Sequence, residues 1–443
     1  MFRKIISKIT QIVLSYIKEN VGRIMMRNSI RKSLVNGRIS EIYDFAKNYF
    51  GEEPSNISAT NKLKVLCEAM CITPSDLDEV ISKHSEVSRT VKGHAFEVVF
   101  DTMMNHNGVE CVEIGGDTDI DRTINGRSLQ LKTQYQAGCS GTIVSYKTHK
   151  THGAKSEEES LDYYHKVDDF ADYLVGLVSY HPFTVLIVPK EHLPLVPGHD
   201  EYILSPMFLH TEGSPFLNGY FRLGINHPME FPEELLVRSE NECLPKSSAL
   251  LDLRSDYILR AIFIKDNFRI WDMNMRGFIR EHVLHSMIEE HGSVVYPPSV
   301  TALPRYDKCD LVLKTTDDRY VRFQVKGLTW KGCKLHRGAA VIDCETQLSR
   351  GRVNDHPTQS RLYMASDFEG VIIAVDPPYT NALTKATFGQ EDYSWSFYCV
   401  PQSRLTKHHV YINRVASHQY IPFAELQQYR IDENWFEQWK KEG

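Results

Sequence analysis

Apolar positions in "KGHAFEVVFDTMMNHNG" recur at helical spacing. Phe96, Val99, Phe100 and Met103 share one face, Glu97 lies beside it, and Gly108 ends the run. The period then drops toward two. Ile120 to Ile124 reads as a strand, Asn125-Gly126 is a hairpin turn signal, and "RSLQLKT" is the return strand. That strand places Gln130 and Lys132 on one face and Leu129 and Leu131 on the other. Apolar strands follow in "DYLVGLV" and "FTVLIVPKEHL".

The same order of patterns returns about two hundred residues later. "MRGFIREHVLHSMIEEHG" predicts a helix with Leu284, Met287 and Ile288 on its apolar face, Glu281 in the place of Glu97, and Gly292 at its end. "YDKCDLVLKTTDDRYVRFQVKG" reads as strand, turn and strand, with Asp310 before the first strand and Gln324 and Lys326 on the second. "YMASDFEGVIIAV" then answers "YYHKVDDFADYLVGLV", and "WSFYCVPQSRL" answers "FTVLIVPKEHL". Five features in one order predict two copies of a single α/β unit. The expected organisation is a helical N-terminal region over 1–90, a first α/β domain with its joining segment over 91–265, and a second over 266–443.

Upstream, "NKLKVLCEAMCITPSDLDEVISKHSEV" contains two apolar helical runs separated at Thr73-Pro74-Ser75. The pair fits a helical hairpin or a helix-turn-helix reader. Cys67 and Cys71, four apart, fit packing on one helix face.

Charge adds one feature. The chain of 443 residues carries −6 overall, which does not describe a generally basic nucleic-acid binder. Residues 1–38, however, hold nine Lys and Arg against Glu19 alone. Ile5, Ile6, Ile9, Val13 and Ile17 follow helical spacing there, so a helix packed on the protein and a basic arm on DNA or lipid are both readings; a transit peptide is a weaker one. No membrane span or secretory signal is legible, and nine scattered cysteines fit a reducing, cytoplasmic setting.

Phosphodiester hydrolysis needs divalent cations on hard oxygen ligands and a cationic group near the scissile phosphate. Glu97, Asp119 or Asp121, Gln130 and Lys132 offer that set once, and Glu281, Asp310 (or Asp307), Gln324 and Lys326 offer it again. No zinc spacing, nucleophile elbow or phosphate-binding Gly-Lys-Ser/Thr loop competes; His149, His152, His408 and His409 lack partners at zinc spacing. Lys147, Lys150 and Lys155 follow the first set. Lys331, Lys334, Arg337, Arg350, Arg352 and Arg361 follow the second, where Trp330 is placed to stack on a base or to pack.

These two constellations resemble the PD-(D/E)XK nuclease superfamily, the fold of many restriction endonucleases, Holliday-junction resolvases and recombination nucleases. The resemblance covers about residues 90–195 and 275–410. It implies an α/β chain of two tandem restriction-endonuclease-like domains, each a mixed central sheet flanked by helices. It makes Asp121 and Asp310 the metal-binding aspartates, with Asp119 a close competitor on the strand face of Asp121. Lys132 and Lys326 become the catalytic lysines, and Glu97 and Glu281 first-helix metal ligands. The acid usual two residues before the lysine is here Gln130 and Gln324, which offer only a neutral carbonyl oxygen. Active branches of the family with Gln-x-Lys are known. The implied activity is a Mg²⁺- or Mn²⁺-dependent DNA endonuclease of restriction or phage-defence type, acting on double-stranded DNA without a membrane. The tandem copies would serve as a pseudo-dimer, and self-association is left open. The copies differ in spacing, so one unit can cut while the other reads DNA. The competing reading is a non-catalytic DNA-binding or scaffold protein built on degenerate nuclease folds.

Overall fold

The Asn125-Gly126 pair sets the hairpin on which the first sheet is built. Both residues have positive φ, 49° and 74°, the backbone of a two-residue turn whose twist matches its flanking strands. In this computed structural model the described residues are 39–53, 56–114, 120–134, 142–148, 161, 164–232, 242–264, 268–301, 308–336, 339–347 and 361–442. They form a mixed α/β protein of ten helices and several sheets, and no described helix is long and apolar enough to cross a membrane.

The chain divides into two compact units. One contains residues 58–60 and 81–267; the other contains 268–443 together with 61–80 and the described part of 1–57. The helices before residue 81 therefore belong with the C-terminal unit rather than standing as a separate region over 1–90. They are α1 (Ile39–Phe50), α2 (Ala59–Met70) and α3 (Pro74–Lys83). The break expected at Thr73-Pro74 is real: Pro74 opens α3, and Asp76 accepts from both the Thr73 N–H (2.8 Å) and its hydroxyl (2.7 Å). Cys67 is buried as expected, while Cys71 lies just past α2 at φ 50°.

In the central unit, α4 (Ser85–His106) buries Phe96, Val99, Phe100 and Met103 almost completely. Each such burial contributes on the order of 1.5–3 kcal/mol. Gly108 follows at φ 66°, the left-handed conformation that ends many helices. The sheet runs in the order β1 (Val112–Glu113), β2 (Arg122–Ile124), β3 (Arg127–Lys132), β5 (Tyr173–Tyr180) and β6 (Phe183–Pro189). All neighbours are antiparallel except β3 and β5. A separate ribbon pairs β4 (Ile143–Tyr146) with β9 (Met207–His210), and a small one pairs β7 (Leu195–Val196) with β8 (His199–Ile203). The helices α5 (Pro245–Leu251) and α6 (Ser255–Ile262) complete this unit.

In the other unit, α7 (Phe268–Glu290) precedes a sheet in the order β10 (Val295–Tyr296), β11 (Leu311–Lys314), β12 (Tyr320–His336), β14 (Gly370–Val375) and β15 (Ser396–Pro401). Again the only parallel pair is the third with the fourth, β12 with β14. The two sheets thus share strand order and sense. Even their exits match: Pro189 and Pro401 have the same backbone angles, φ −59° and ψ 144°, and each opens a single 3₁₀ turn.

The parallel seam is fastened alike in both. Asp172 accepts from the Ser128 N–H (2.9 Å), two residues before Gln130, and Glu369 accepts from the Arg322 N–H (2.7 Å), two before Gln324. The second unit differs in length. β12 continues well beyond the Gln-x-Lys positions and, after an irregularity between Leu328 and Cys333, pairs with β13 (Ala339–Glu345), which pairs in turn with β16 (His418–Pro422). The helices α8 (Pro377–Phe388), α9 (Phe423–Leu426) and α10 (Glu433–Glu442) close the unit.

Candidate active sites

Strand alternation positions the second site. Phe323 and Val325 on β12 join Leu284 and Ile288 of α7 in one apolar cluster. Their neighbours Gln324 and Lys326 therefore face the other way. Asp310, one residue before β11, is fixed from two sides. Its backbone N–H donates to the Phe323 carbonyl (2.9 Å), and its Oδ2 accepts from the Val325 N–H (3.0 Å) and from the Gln324 side-chain amide. A carboxylate only accepts, so the Gln324 Nε2 must face Asp310. That leaves Gln324 Oε1 buried with no hydrogen-bond partner.

Glu281 of α7 approaches the same place. Burial first, and then the charge of Asp310, push its carboxyl up to about 8, against the pull of Lys326 and Arg280. Burial likewise raises Asp310, opposed by Lys326, the Val325 N–H and Gln324. Burial works to lower the Lys326 ammonium, yet Tyr363 and Asp310 outweigh it, and the group stays above its ordinary value. The Lys326 Nζ stands 5.2 Å from the Tyr363 ring centre. Two partly buried carboxyl groups thus lie in the field of one ammonium, beside a buried carbonyl oxygen with no donor.

The first site repeats the frame. The Asp121 N–H donates to the Leu129 carbonyl (2.8 Å), and Asp121 Oδ2 accepts from the Leu131 N–H (2.7 Å). Gln130 is buried, and its Oε1 also lacks a partner. Of the aspartates weighed from the sequence, Asp121 therefore occupies the position of Asp310; Asp119 and Asp307 lie outside the described residues. The expected sets Glu97, Asp121, Gln130, Lys132 and Glu281, Asp310, Gln324, Lys326 each come together.

The electrostatics differ. Arg122, only 3% exposed, is bidentate to Asp101 (2.9 and 3.0 Å), lies 3.3 Å from Glu97 Oε2, and donates to the Asp121 carbonyl at 2.8 Å. His94 Nδ1 is 3.6 Å from the other Glu97 oxygen. Burial works to raise the Glu97 carboxyl, but His94, Arg122 and Lys132 outweigh it and hold Glu97 low. Asp121 is raised, chiefly by burial.

Arg122, Asp101, His94 and Tyr363 were not singled out from the sequence. Asp101 carried a signal, since it lies one helical turn beyond Glu97 and so on the same helix face. Other sequence candidates contribute less. His408 and His409 stack on each other at 4.7 Å, and Arg361 lies 4.0 Å from Glu345. His149, His152, Lys150, Lys155, Arg337, Arg350, Arg352 and the arm 1–38 lie outside the described residues, as do the side chains of Trp330, Lys331 and Lys334.

Among the described residues no three His, Cys, Asp or Glu side chains form a metal cage. The donor set at the second site, two carboxylates and an amide oxygen, is instead the sparse oxygen set from which Mg²⁺ is held with waters and substrate phosphates. The partnerless Gln324 oxygen and the poorly compensated Glu281 both fit such an ion. Comparison with protein-family models, with curated proteins and with solved structures returned no match.

Proposed function

We propose that this chain is a divalent-metal-dependent endodeoxyribonuclease built on two restriction-endonuclease-like units, with double-stranded DNA as substrate and restriction or phage defence as its setting. The observation that supports this most is the repeated frame in which an aspartate accepts the N–H between a buried Gln and a Lys, with the Gln oxygen unpartnered each time. Fold, activity and DNA binding all belong to this reading, as do a cytoplasmic location and self-association.

Glu281, Asp310 and Gln324 Oε1 would hold Mg²⁺ or Mn²⁺. When bound, the ion would supply Lewis-acid polarisation of the phosphoryl group and a more acidic water. Asp310 is oriented by the Val325 N–H and Gln324, so its oxygens need no rearrangement on binding. Lys326 remains an ammonium beside Tyr363 and Asp310. A charged lysine cannot accept a proton, so its role is to hold the scissile phosphate and offset the negative charge that grows on it.

The test is cleavage of supercoiled plasmid by purified protein with Mg²⁺ or Mn²⁺, beside Lys326→Ala, Lys132→Ala and the double variant. Metal-dependent nicking or linearisation that Lys326→Ala abolishes is the expected result. DNA left equally intact by wild type and double variant defeats the reading and favours a non-catalytic DNA-binding protein.

A further inference from the structure

We infer that Arg122 is a resident cation beside the first site that engages Glu97 in place of a divalent ion, so that only the site of Glu281, Asp310 and Gln324 takes a metal. This rests on the metal-dependent reading above and deepens it.

The geometry at the first site is that of a completed charge cluster. Arg122 Nη2 donates to both Glu97 and Asp101, its Nε donates to Asp101 as well, and its Nη1 donates to the main-chain carbonyl of Asp121. The guanidinium is planar and always charged, and it is almost wholly buried here, so it cannot swing into solvent to make room. Both Glu97 oxygens already face neighbours, Arg122 at 3.3 Å and the His94 ring at 3.6 Å. An incoming cation would have to displace a buried arginine from Glu97, Asp101 and Glu113, leaving its charge unpaired.

The second site lacks this device at both positions. Leu311 follows Asp310 as Arg122 follows Asp121, and it is a fully buried core residue. His285 stands four residues after Glu281, where the first helix has Asp101 after Glu97. No cation lies within 4.0 Å of the Glu281 carboxyl among the described residues; Lys326 and Arg280 act on it only at longer range. Its carboxylate is therefore available to an ion, whereas that of Glu97 is taken.

The test counts ions by titrating the full-length chain with Mn²⁺ in a calorimeter, alongside plasmid cleavage by the same preparations. Wild type is expected to bind one ion per chain. Glu281→Gln should lose it. The pair Asp101→His and Arg122→Leu, which installs the residue types of the second site, should bind a second ion.

Two ions on wild type, an ion retained by Glu281→Gln, or a folded double variant that gains none would each overturn the inference. The first two measurements decide even where the double variant fails to fold. One ion, lost in Glu281→Gln, without any cleavage would sink the nuclease reading and leave this inference standing. Two ions with cleavage would do the reverse.

Discussion

Asp310 accepts the backbone N–H of Val325 at 3.0 Å, so the carboxylate of one strand is tied to its neighbour between the two residues that flank the chemistry, Gln324 and Lys326. The tie makes Asp310 a fixed element of the sheet as well as a candidate ligand. Asparagine there keeps the shape but loses the charge. Asp310→Asn is expected to lower DNA cleavage by about 10²-fold or more, on the scale of losing one electrostatic catalytic group. Its melting temperature should stay close to wild type. Initial rates of plasmid nicking and a thermal melt check both.

Glu281 gives a pH dependence with a definite sign. Its folded value is raised to about 8 against about 4.3 for an unfolded Glu. Stability from this group is fully present below about pH 4.3 and is lost as pH rises through about 8. In EDTA, Glu281→Gln should therefore melt higher than wild type at pH 8.5, by about 3 °C or more, with the gap closing toward pH 5. Melts across that range, repeated with Mn²⁺ to restore wild type, provide the check.

Asp376 has the opposite sign. It accepts from Arg280 Nε (2.8 Å) and Nη2 (3.0 Å) and pairs with Arg276 (3.1 Å). Burial would raise its carboxyl, but the two arginines outweigh it and hold it low. Its contribution is present above the unfolded value of about 3.9 and is lost as pH falls below it. Asp376→Asn should destabilise the unit containing α7 by about 3–5 kcal/mol at pH 7, since it strands two buried arginines. Denaturant titrations at pH 7 and pH 3.5 should show the difference shrinking in acid.

Arg122→Leu alone should destabilise the unit of residues 81–267 by about 3–5 kcal/mol, because Asp101 and Glu97 lose their shared partner. Adding Asp101→His should recover part of that loss by removing one stranded carboxylate. A urea titration of the two variants separates the costs.

Gly176 pairs with Lys132 across the parallel seam, and a Cβ there would overlap the ring of Tyr146. Tyr146 cannot yield easily: it is fully buried, and its hydroxyl donates to the Leu177 carbonyl at 3.0 Å. Gly176→Ala is expected to cost about 1–3 kcal/mol through overpacking, read as an earlier unfolding transition.

Much of this was legible in the sequence because it is local. The period of Phe96, Val99, Phe100 and Met103 specifies a helix face, and Asn125-Gly126 specifies a two-residue hairpin. The repetition of Gln-x-Lys pointed to both candidate sites. What escaped depends on distance in space. The attachment of α1 to α3 to the C-terminal unit rests on packing between residues far apart in the chain, such as the Trp395 indole donating to the Met70 carbonyl, 325 positions away, at 2.8 Å. Arg122 escaped because an arginine on a short hairpin strand ordinarily faces water. Only the placement of α4 brings Glu97 and Asp101 over it. Asp119 and Asp121 are two apart in the sequence, so alternation could not separate them. The Leu131 N–H assigns the structural position to Asp121.

Carrying the sheet twice in one polypeptide has a consequence that a pair of identical subunits cannot share. In a homodimer any substitution appears in both sites at once, so Arg after the aspartate in one would be Arg in the other. Covalent duplication breaks that symmetry. Position 122 is free to be arginine while position 311 stays leucine, and the two candidate sites remain in strict one-to-one ratio at any dilution.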